Sequence, residues 1–149
     1  MGVEASRIHV VGLSKRFRQP GLGVPLSLEL PALSSARGAA KRPPEGHFVP
    51  ATAILSFDPA SCPVLSLVDP RRFDSIRVGG RSIALAGDFT APYARLLDRA
   101  DLHMEGRLAV LEPFTAERQG LFLLEDYDPG RTPLVMVHGL GSSPMAWPT

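Results

Sequence analysis

Hydrophobic positions in this 149-residue chain come in short runs broken by proline and glycine, and their period changes along the sequence. A short apolar segment (Ile8, Val10, Val11) is followed by a basic polar stretch and then by QPGLGVPLSLEL. Val24, Leu26, Leu28 and Leu30 recur with period two, which predicts a strand. Pro25 favours an edge position, because proline has no N–H to give a ladder. Residues 31–47, PALSSARGAAKRPPEGH, are small, polar and proline-broken, and predict a loop or linker. Further strands are predicted for TAILSF (52–57) and VLSLV (64–68), which end at Asp58-Pro59 and Asp69-Pro70. SIRV (75–78) and SIAL (82–85) flank Gly79-Gly80-Arg81, and the glycine pair can supply the positive φ of a tight hairpin. These runs together predict a small antiparallel β unit.

The period changes at DFTAPYARLLDRA (88–100). Thr90 suits an N-cap, Pro92 suits the first turn, and Ala91, Ala94, Leu96 and Leu97 can share one face, so a short helix is predicted. Residues 102–118 admit either a helix over 104–111 with Gly106 inside it or a loop with a brief strand. GLFLLE (120–125) again has a strand pattern, and YDPGRTP a turn. PLVMV (133–137) carries four consecutive apolar residues, as in a strand buried on both faces of a parallel sheet. No internal repeat is present.

Composition narrows the class. A hydrophobic content of 44% over this length supports one ordinary domain with its own core. The 15 prolines and 14 glycines predict short elements and many turns. With 16 basic against 15 acidic side chains, the chain lacks the strong basic bias of a nucleic-acid footprint. Lys15, Arg16 and Arg18 read as a solvated face, and no nucleic-acid partner is expected. Cys62 is the sole cysteine, so an intramolecular disulfide framework is impossible. No run approaches the roughly 18 apolar residues of a membrane span. MGVEASRIHV lacks the charged-then-apolar pattern of a signal peptide. Gly2 and Ser6 fit M-G-x-x-x-[ST], a myristoylation pattern loose enough to match often by chance. Localisation therefore stays open.

The chemistry concentrates after the last apolar run, in His138, Gly139, Leu140 and Gly141. Glycines here let the backbone turn sharply and bring amide N–H groups close to a ligand atom. Ser143 can cap a following helix with Pro144 at its first position. Strand, glycine loop and helix N-terminus aim backbone donors and a positive dipole end at one spot, which suits an oxyanion.

This stretch resembles the HG-x-G oxyanion motif that follows an early strand in α/β-hydrolase-fold lipases and esterases. GLFLLEDYDPGRTPLVMVHGLGSSPMAW is similar to a bacterial group of such hydrolases in which an N-terminal region precedes the catalytic domain. GLGVPL, VLSLVDPRR and DFTAPYARLL resemble that region. The resemblance implies that the Leu140 backbone N–H donates to the tetrahedral oxyanion. It makes His138 an orienting residue rather than the base, leaves Gly139 and Gly141 to shape the loop, and packs Trp147 near the pocket entrance or under the loop. Ser142 and Ser143 would start a helix. The family's nucleophile sits in G-x-S-x-G, with acid and histidine following it. None of the three follows here, so no catalytic residue is assigned. The nearest look-alike, GRSIA (80–84), falls inside the predicted hairpin.

The expectation is an α+β accessory region rich in short antiparallel strands over residues 1–118. The first strands of an incomplete α/β-hydrolase sheet then follow over 119–149. Such a chain would be the N-terminal part of an esterase- or lipase-like serine hydrolase, inactive alone, with a small-molecule or lipid ester as substrate. It would need no cofactor, and membrane association stays open. The alternative is a non-catalytic β-rich binding module with a hydrolase-like remnant tail.

Other chemistries fit less well. As a dinucleotide fingerprint, Gly139-Leu140-Gly141 has Pro144 where the third glycine belongs. His9, His47, His103 and His138 are scattered without paired cysteines or H-E-x-x-H, so no metal site is expected. His103-Met104-Glu105 matches H-x-E of the zinc deaminases without P-C-x-x-C. Cys62 reads as an incidental thiol between strands. Glu125, Asp126 and Asp128 read as turn residues ending at Asp128-Pro129-Gly130.

Overall fold

The period-two run after Gly23 does form a strand, and it sits inside a sheet. A computed structural model describes residues 1–8, 15–31, 42–43, 45–57, 62–100, 122–125 and 128–137. Its elements are β1 (Gly2–Glu4), a 3-10 turn (Ala5–Arg7), β2 (Arg18–Gln19), β3 (Val24–Leu30), β4 (His47–Ser56), β5 (Val64–Val68), β6 (Ser75–Val78), β7 (Arg81–Ala84), β8 (Gly87–Asp88) and α1 (Thr90–Ala100). Four strands form one sheet in the order β1-β3-β4-β5, while β2 pairs with β8 and β6 with β7. Four of these pairings are antiparallel: Val3 faces Ser27, Ile54 faces Ser66, Arg18 faces Asp88 and Ile76 faces Ile83. A parallel bridge joins Leu22 to Leu85.

This is a mostly antiparallel arrangement of small sheets with one helix, as the first part of the fold expectation has it. The second part, the first strands of an α/β-hydrolase sheet over 119–149, is not seen, and much of that stretch lies outside the described residues. Among the described residues there is no α/β-hydrolase sheet, and 132–137 are irregular. Residues 134–137 carry the apolar pattern of a buried strand, yet Leu134 is 85% and Val137 83% exposed. The apolar run has no ladder partner among the described residues, so nothing described there fixes its backbone as a strand. Residues 122–125, predicted as part of a strand, are likewise irregular with a bend at Leu124 and Glu125.

Two details of β3 and β4 depart from the sequence pattern. Pro25 lies in an internal strand rather than at an edge. That is possible because β1 is short and its pairing covers only Leu26 to Leu28 on that side. β4 begins at His47, where a loop was expected, and includes Pro50; β5 pairs only from Thr52 to Ser56, so Pro50 owes no bond to it.

The hairpin between β6 and β7 turns on Gly79 (φ 56°) and Gly80 (φ 79°), with Val78 facing Arg81. Two consecutive positive φ values are what a type I′ turn requires, and only glycine adopts both without strain. Ser82, the serine of GRSIA, lies within β7 and donates from its Oγ to Ser75 Oγ across the strands at 3.1 Å. It is a cross-strand pair and not a nucleophile elbow.

One compact unit comprises Met1–His9, Arg16–Leu30 and Phe48–Arg95. A second comprises Val10–Lys15, Pro31–His47 and Leu96–Thr149. In the first, Ala5, Phe48, Val49, Ala51, Leu85, Ala86, Ala91 and Ala94 are buried, with Ser27, Thr52, Asp88 and Thr90 buried among the polar residues. Thr52 Oγ1 donates to Ala86 O at 2.6 Å, which ties the middle of the sheet to the segment leading into α1. Arg95 of α1 donates to Ser27 O at 3.0 Å, approaches Glu29 at 3.5 Å and stacks its guanidinium 4.6 Å from the Phe48 ring centroid. That cation–π contact and ion pair place the helix over β3 and β4. The predicted helix face is confirmed for Ala91, Ala94 and Leu97, all buried, while Leu96 is half-buried.

In the second unit, residues 128–131 of the predicted turn are described and make it, while Tyr127 lies outside the described residues. Arg131 N donates to Asp128 O at 3.1 Å, and Gly130 N donates to Asp128 Oδ1 at 2.8 Å. Glu125 pairs with Arg131 at 2.9 Å. The carboxylates of Glu125 and Asp128 thus serve turn structure, as their sequence context indicates.

Candidate functional site

His138, Gly139, Leu140 and Gly141, the residues on which the sequence places an oxyanion loop, lie outside the described residues, as do Ser142, Ser143 and Trp147. His9, His103 and the undecided stretch 102–118 lie outside them too. The approach to the loop, residues 132–137, is described above as irregular and exposed.

The densest polar constellation in the described chain is elsewhere, where the N-terminal segment meets the start of α1. Asp88 ends β8 with only 2% of its side chain exposed. Its Oδ1 accepts from Thr90 N at 3.1 Å and Ala91 N at 2.9 Å, and its Oδ2 accepts from Arg18 Nε at 3.0 Å. These bonds reach the second and third residues onward, the spacing of an N-cap. Asp88, not the predicted Thr90, therefore caps the helix. Thr90 Oγ1 is used differently: it accepts from Phe17 N at 2.8 Å, and Phe89 N donates to Phe17 O at 3.0 Å. Two hydrogen bonds thus fasten Phe17 to the helix start.

Arg16 and Arg18 are not merely a solvated face. Arg16 donates to the Ala5 and Ile8 carbonyls, which closes the end of the 3-10 turn. Arg18 neutralises the buried Asp88 carboxylate. Gln19 Nε2 reaches Leu85 O at 3.0 Å and Asp74 O at 3.2 Å, linking the same segment to the hairpin. Arg16, Phe17, Arg18, Gln19, Pro20 and Phe89 line a shallow, open depression. Its two cations are already engaged with protein acceptors, and its one neighbouring carboxylate is engaged three times. The arrangement is that of a structural clasp. The signal that could have found it is the spacing D-x-T-A-P, which fits an aspartate cap as well as a threonine cap.

A second polar cluster surrounds Asp69, whose titration is shifted. Burial works to raise Asp69, but hydrogen bonds from the Arg71 side chain and backbone, with the charges of Arg71 and Arg72, outweigh it and hold the carboxyl below its ordinary range. Arg71 grips both oxygens, at 3.0 Å and 2.8 Å, and Arg71 N donates to Oδ1 at 2.9 Å. Phe73 N and Arg72 N both donate to Asp69 O at 3.1 Å. Asp69 organises the turn after β5. Burial pushes the Tyr93 phenol up.

Among the described residues no group of three or more His, Cys, Asp or Glu side chains could hold a metal ion, and no helix is long and apolar enough to cross a membrane. His47 shares its Nδ1 with Arg42, while its buried Nε2 has no hydrogen-bond partner. Cys62 is exposed. No protein-family model matches the chain, and no curated protein or solved structure matches it.

Proposed function

We propose that this chain is the N-terminal part of an α/β-hydrolase-type serine hydrolase that acts on carboxylic esters, small-molecule or lipid, by acyl transfer to water. The observation that carries the reading is a single ordered run: four apolar residues (134–137), then His138-Gly139-Leu140-Gly141, then Ser143-Pro144. In this reading the Leu140 amide donates to the oxyanion, Gly139 and Gly141 permit the loop, and His138 orients it. One such donor lowers the transition state by roughly 3–4 kcal/mol. Residues 134–137 become a strand only where further parallel strands flank them, so their exposure is compatible with the proposal but gives it no support. Residues 1–149 contain no G-x-S-x-G, since the hairpin look-alike GRSIA closes on Ala84, and this stretch by itself is expected to be inactive. No cofactor is required.

The second reading, a non-catalytic β-rich binding module, is favoured by the exposed leucines of the β4–β5 ribbon, Leu55, Leu65 and Leu67. Sequencing the encoding DNA past codon 149 separates the two. The hydrolase reading expects an open frame running into G-x-S-x-G, then an acid and a histidine. It further expects fluorophosphonate labelling of that longer product and no labelling of residues 1–149. A verified stop codon directly after Thr149, or labelling of the 149-residue chain, would overturn it.

A further inference from the structure

β5 is the edge of the four-stranded sheet, and its sequence, Val64-Leu65-Ser66-Leu67-Val68, reads the same in both directions. Natural edge strands are commonly protected by lysine, by a bulge or by brevity. β5 has five residues, no charge and no bulge, and Val64, Leu65 and Leu67 are each more than half exposed. We propose that β5 pairs antiparallel with β5 of a second copy of this chain about a two-fold axis through Ser66. That register sets Val64 opposite Val68, Leu65 opposite Leu67 and Ser66 opposite Ser66, so every residue meets its own kind.

The register inside the protein makes the choice of partner specific. Leu55 faces Leu65 and Ala53 faces Leu67 across β4 and β5. Continuing the sheet through the axis sets Leu55, Leu65, Leu67 of the second copy and its Ala53 in one row on one face. The symmetry-related row lies beside it. Side chains directly opposite on one face are the unit of sheet stabilisation, and this pairing adds two Leu–Leu contacts. No charge enters the paired segment: Asp69 lies beyond Val68, gripped by Arg71, and faces Pro63 of the other copy. Pro63 also ends the strand, which limits the ladder to these five residues. An isologous pair of this kind closes on itself, so two sheets of four strands join into one of eight and propagation stops there. A five-residue ladder buries less than the ~800 Å² per partner of a standard interface, so the dimer is weak, with a dissociation constant in the micromolar range or above.

The test uses the full chain. Sedimentation velocity from micromolar to near-millimolar loading should show a reversible monomer–dimer equilibrium. Leu65→Lys should raise the dissociation constant at least about tenfold while leaving the melting temperature unchanged. In a Cys62→Ser background, Ser66→Cys should form an intermolecular disulfide under mild oxidation and Val64→Cys should not. Two copies of residue 64 would stand about 13 Å apart along the strands, beyond the ~7 Å limit for a disulfide. The cysteine pair keeps the test decisive if Leu65→Lys proves unstable. A chain that is monomeric throughout, open-ended assemblies, a dimer untouched by Leu65→Lys in a folded variant, or equal cross-linking at 64 and 66 would each overturn the proposal. Capture of a different protein by this strand while the chain itself stays monomeric would overturn it as well.

Discussion

Replacing Asp88 by alanine should be among the most damaging single polar substitutions in the described chain. Two buried donors, Thr90 N–H and Ala91 N–H, lose their acceptor, and neither has a water-facing alternative, because Thr90 and Ala91 are buried. Loss of an N-cap costs roughly 0.5–2 kcal/mol, while leaving a buried donor unsatisfied costs roughly 1–3 kcal/mol. These figures count the same bonds twice, so they are not added; about 3 kcal/mol covers both donors. The ion pair contributes little of this. Arg18 is 51% exposed and can turn to water, so its loss is worth at most ~1 kcal/mol. Asp88→Asn separates the terms, since it keeps Oδ1 for both amides but puts an NH2 donor where Oδ2 accepted from Arg18 Nε; the half-exposed Arg18 turns to water, and the cost should be about 1–2 kcal/mol. Urea unfolding at neutral pH, followed by circular dichroism, reads both values. If Asp88→Ala costs under about 1 kcal/mol, or Asp88→Asn matches it, the cap is not what makes this residue necessary.

Three further contrasts follow from the same structure. Gly21→Ala puts a Cβ 2.3 Å from Ala84 O and 2.5 Å from Leu85 C, backbone atoms that cannot move aside. It should cost more than ~3 kcal/mol, whereas Gly80→Ala, with φ +79° but open space around it, should cost only ~1–2 kcal/mol; thermal melts rank the two, and equal effects would refute the close approach. Thr52→Val removes the 2.6 Å bond to Ala86 O and should cost about 1–2 kcal/mol. Ser27→Ala, whose buried Oγ has no partner, should be neutral or stabilising, and denaturant midpoints decide between these outcomes. Because the folded-state pKa of Asp69 lies below its unfolded value, its contribution is complete above the unfolded pKa, near ~3.9, and is lost as pH falls through the folded value. The stability gap between wild type and Asp69→Asn should therefore be flat near neutrality and shrink below about pH 4. A gap that widens on acidification would contradict the sign.

What could be read from the sequence was whatever depends on neighbours in the chain. The Gly79-Gly80 hairpin, the helix with Pro92 in its first turn and the Asp128-Pro129-Gly130 turn are local, and each formed as expected. Strands with a period-two or continuous apolar run, β3 and β5, were also legible. The two-residue strands were not. β2 and β8 set Arg18 opposite Asp88, 70 residues apart in the chain, and no periodicity announces such a pairing. The same is true of β4 from His47 to Ala51, a stretch with no strand prediction, where burial of Phe48, Val49 and Ala51 carries the strand through Pro50.

The alternation in β3 shows how a correct element can still mislead about its core. Val24, Leu26, Leu28 and Leu30 set the period-two pattern, yet Val24 and Leu30 are exposed and Ser27, on the opposite face, is fully buried. The reason is that α1 covers the serine side: Arg95 lies across Ser27 O, Glu29 and the Phe48 ring. A small residue at 27 leaves room for that guanidinium, so the polar positions of the strand are the ones that receive the helix. Residues 134–137 make the complementary point. Their apolar run matches a buried strand better than β3 does, but a strand is a relation between neighbours, and exposed apolar residues without a ladder stay irregular. β5 has that relation on one side, through β4, and leaves its other side unpaired among the described strands. By the same physics that gives residues 134–137 no reason to straighten, the palindromic β5 is already straight and needs only a second strand. That difference in preorganisation is why the pairing is assigned to β5, and why a Ser66 cross-link is its most direct evidence.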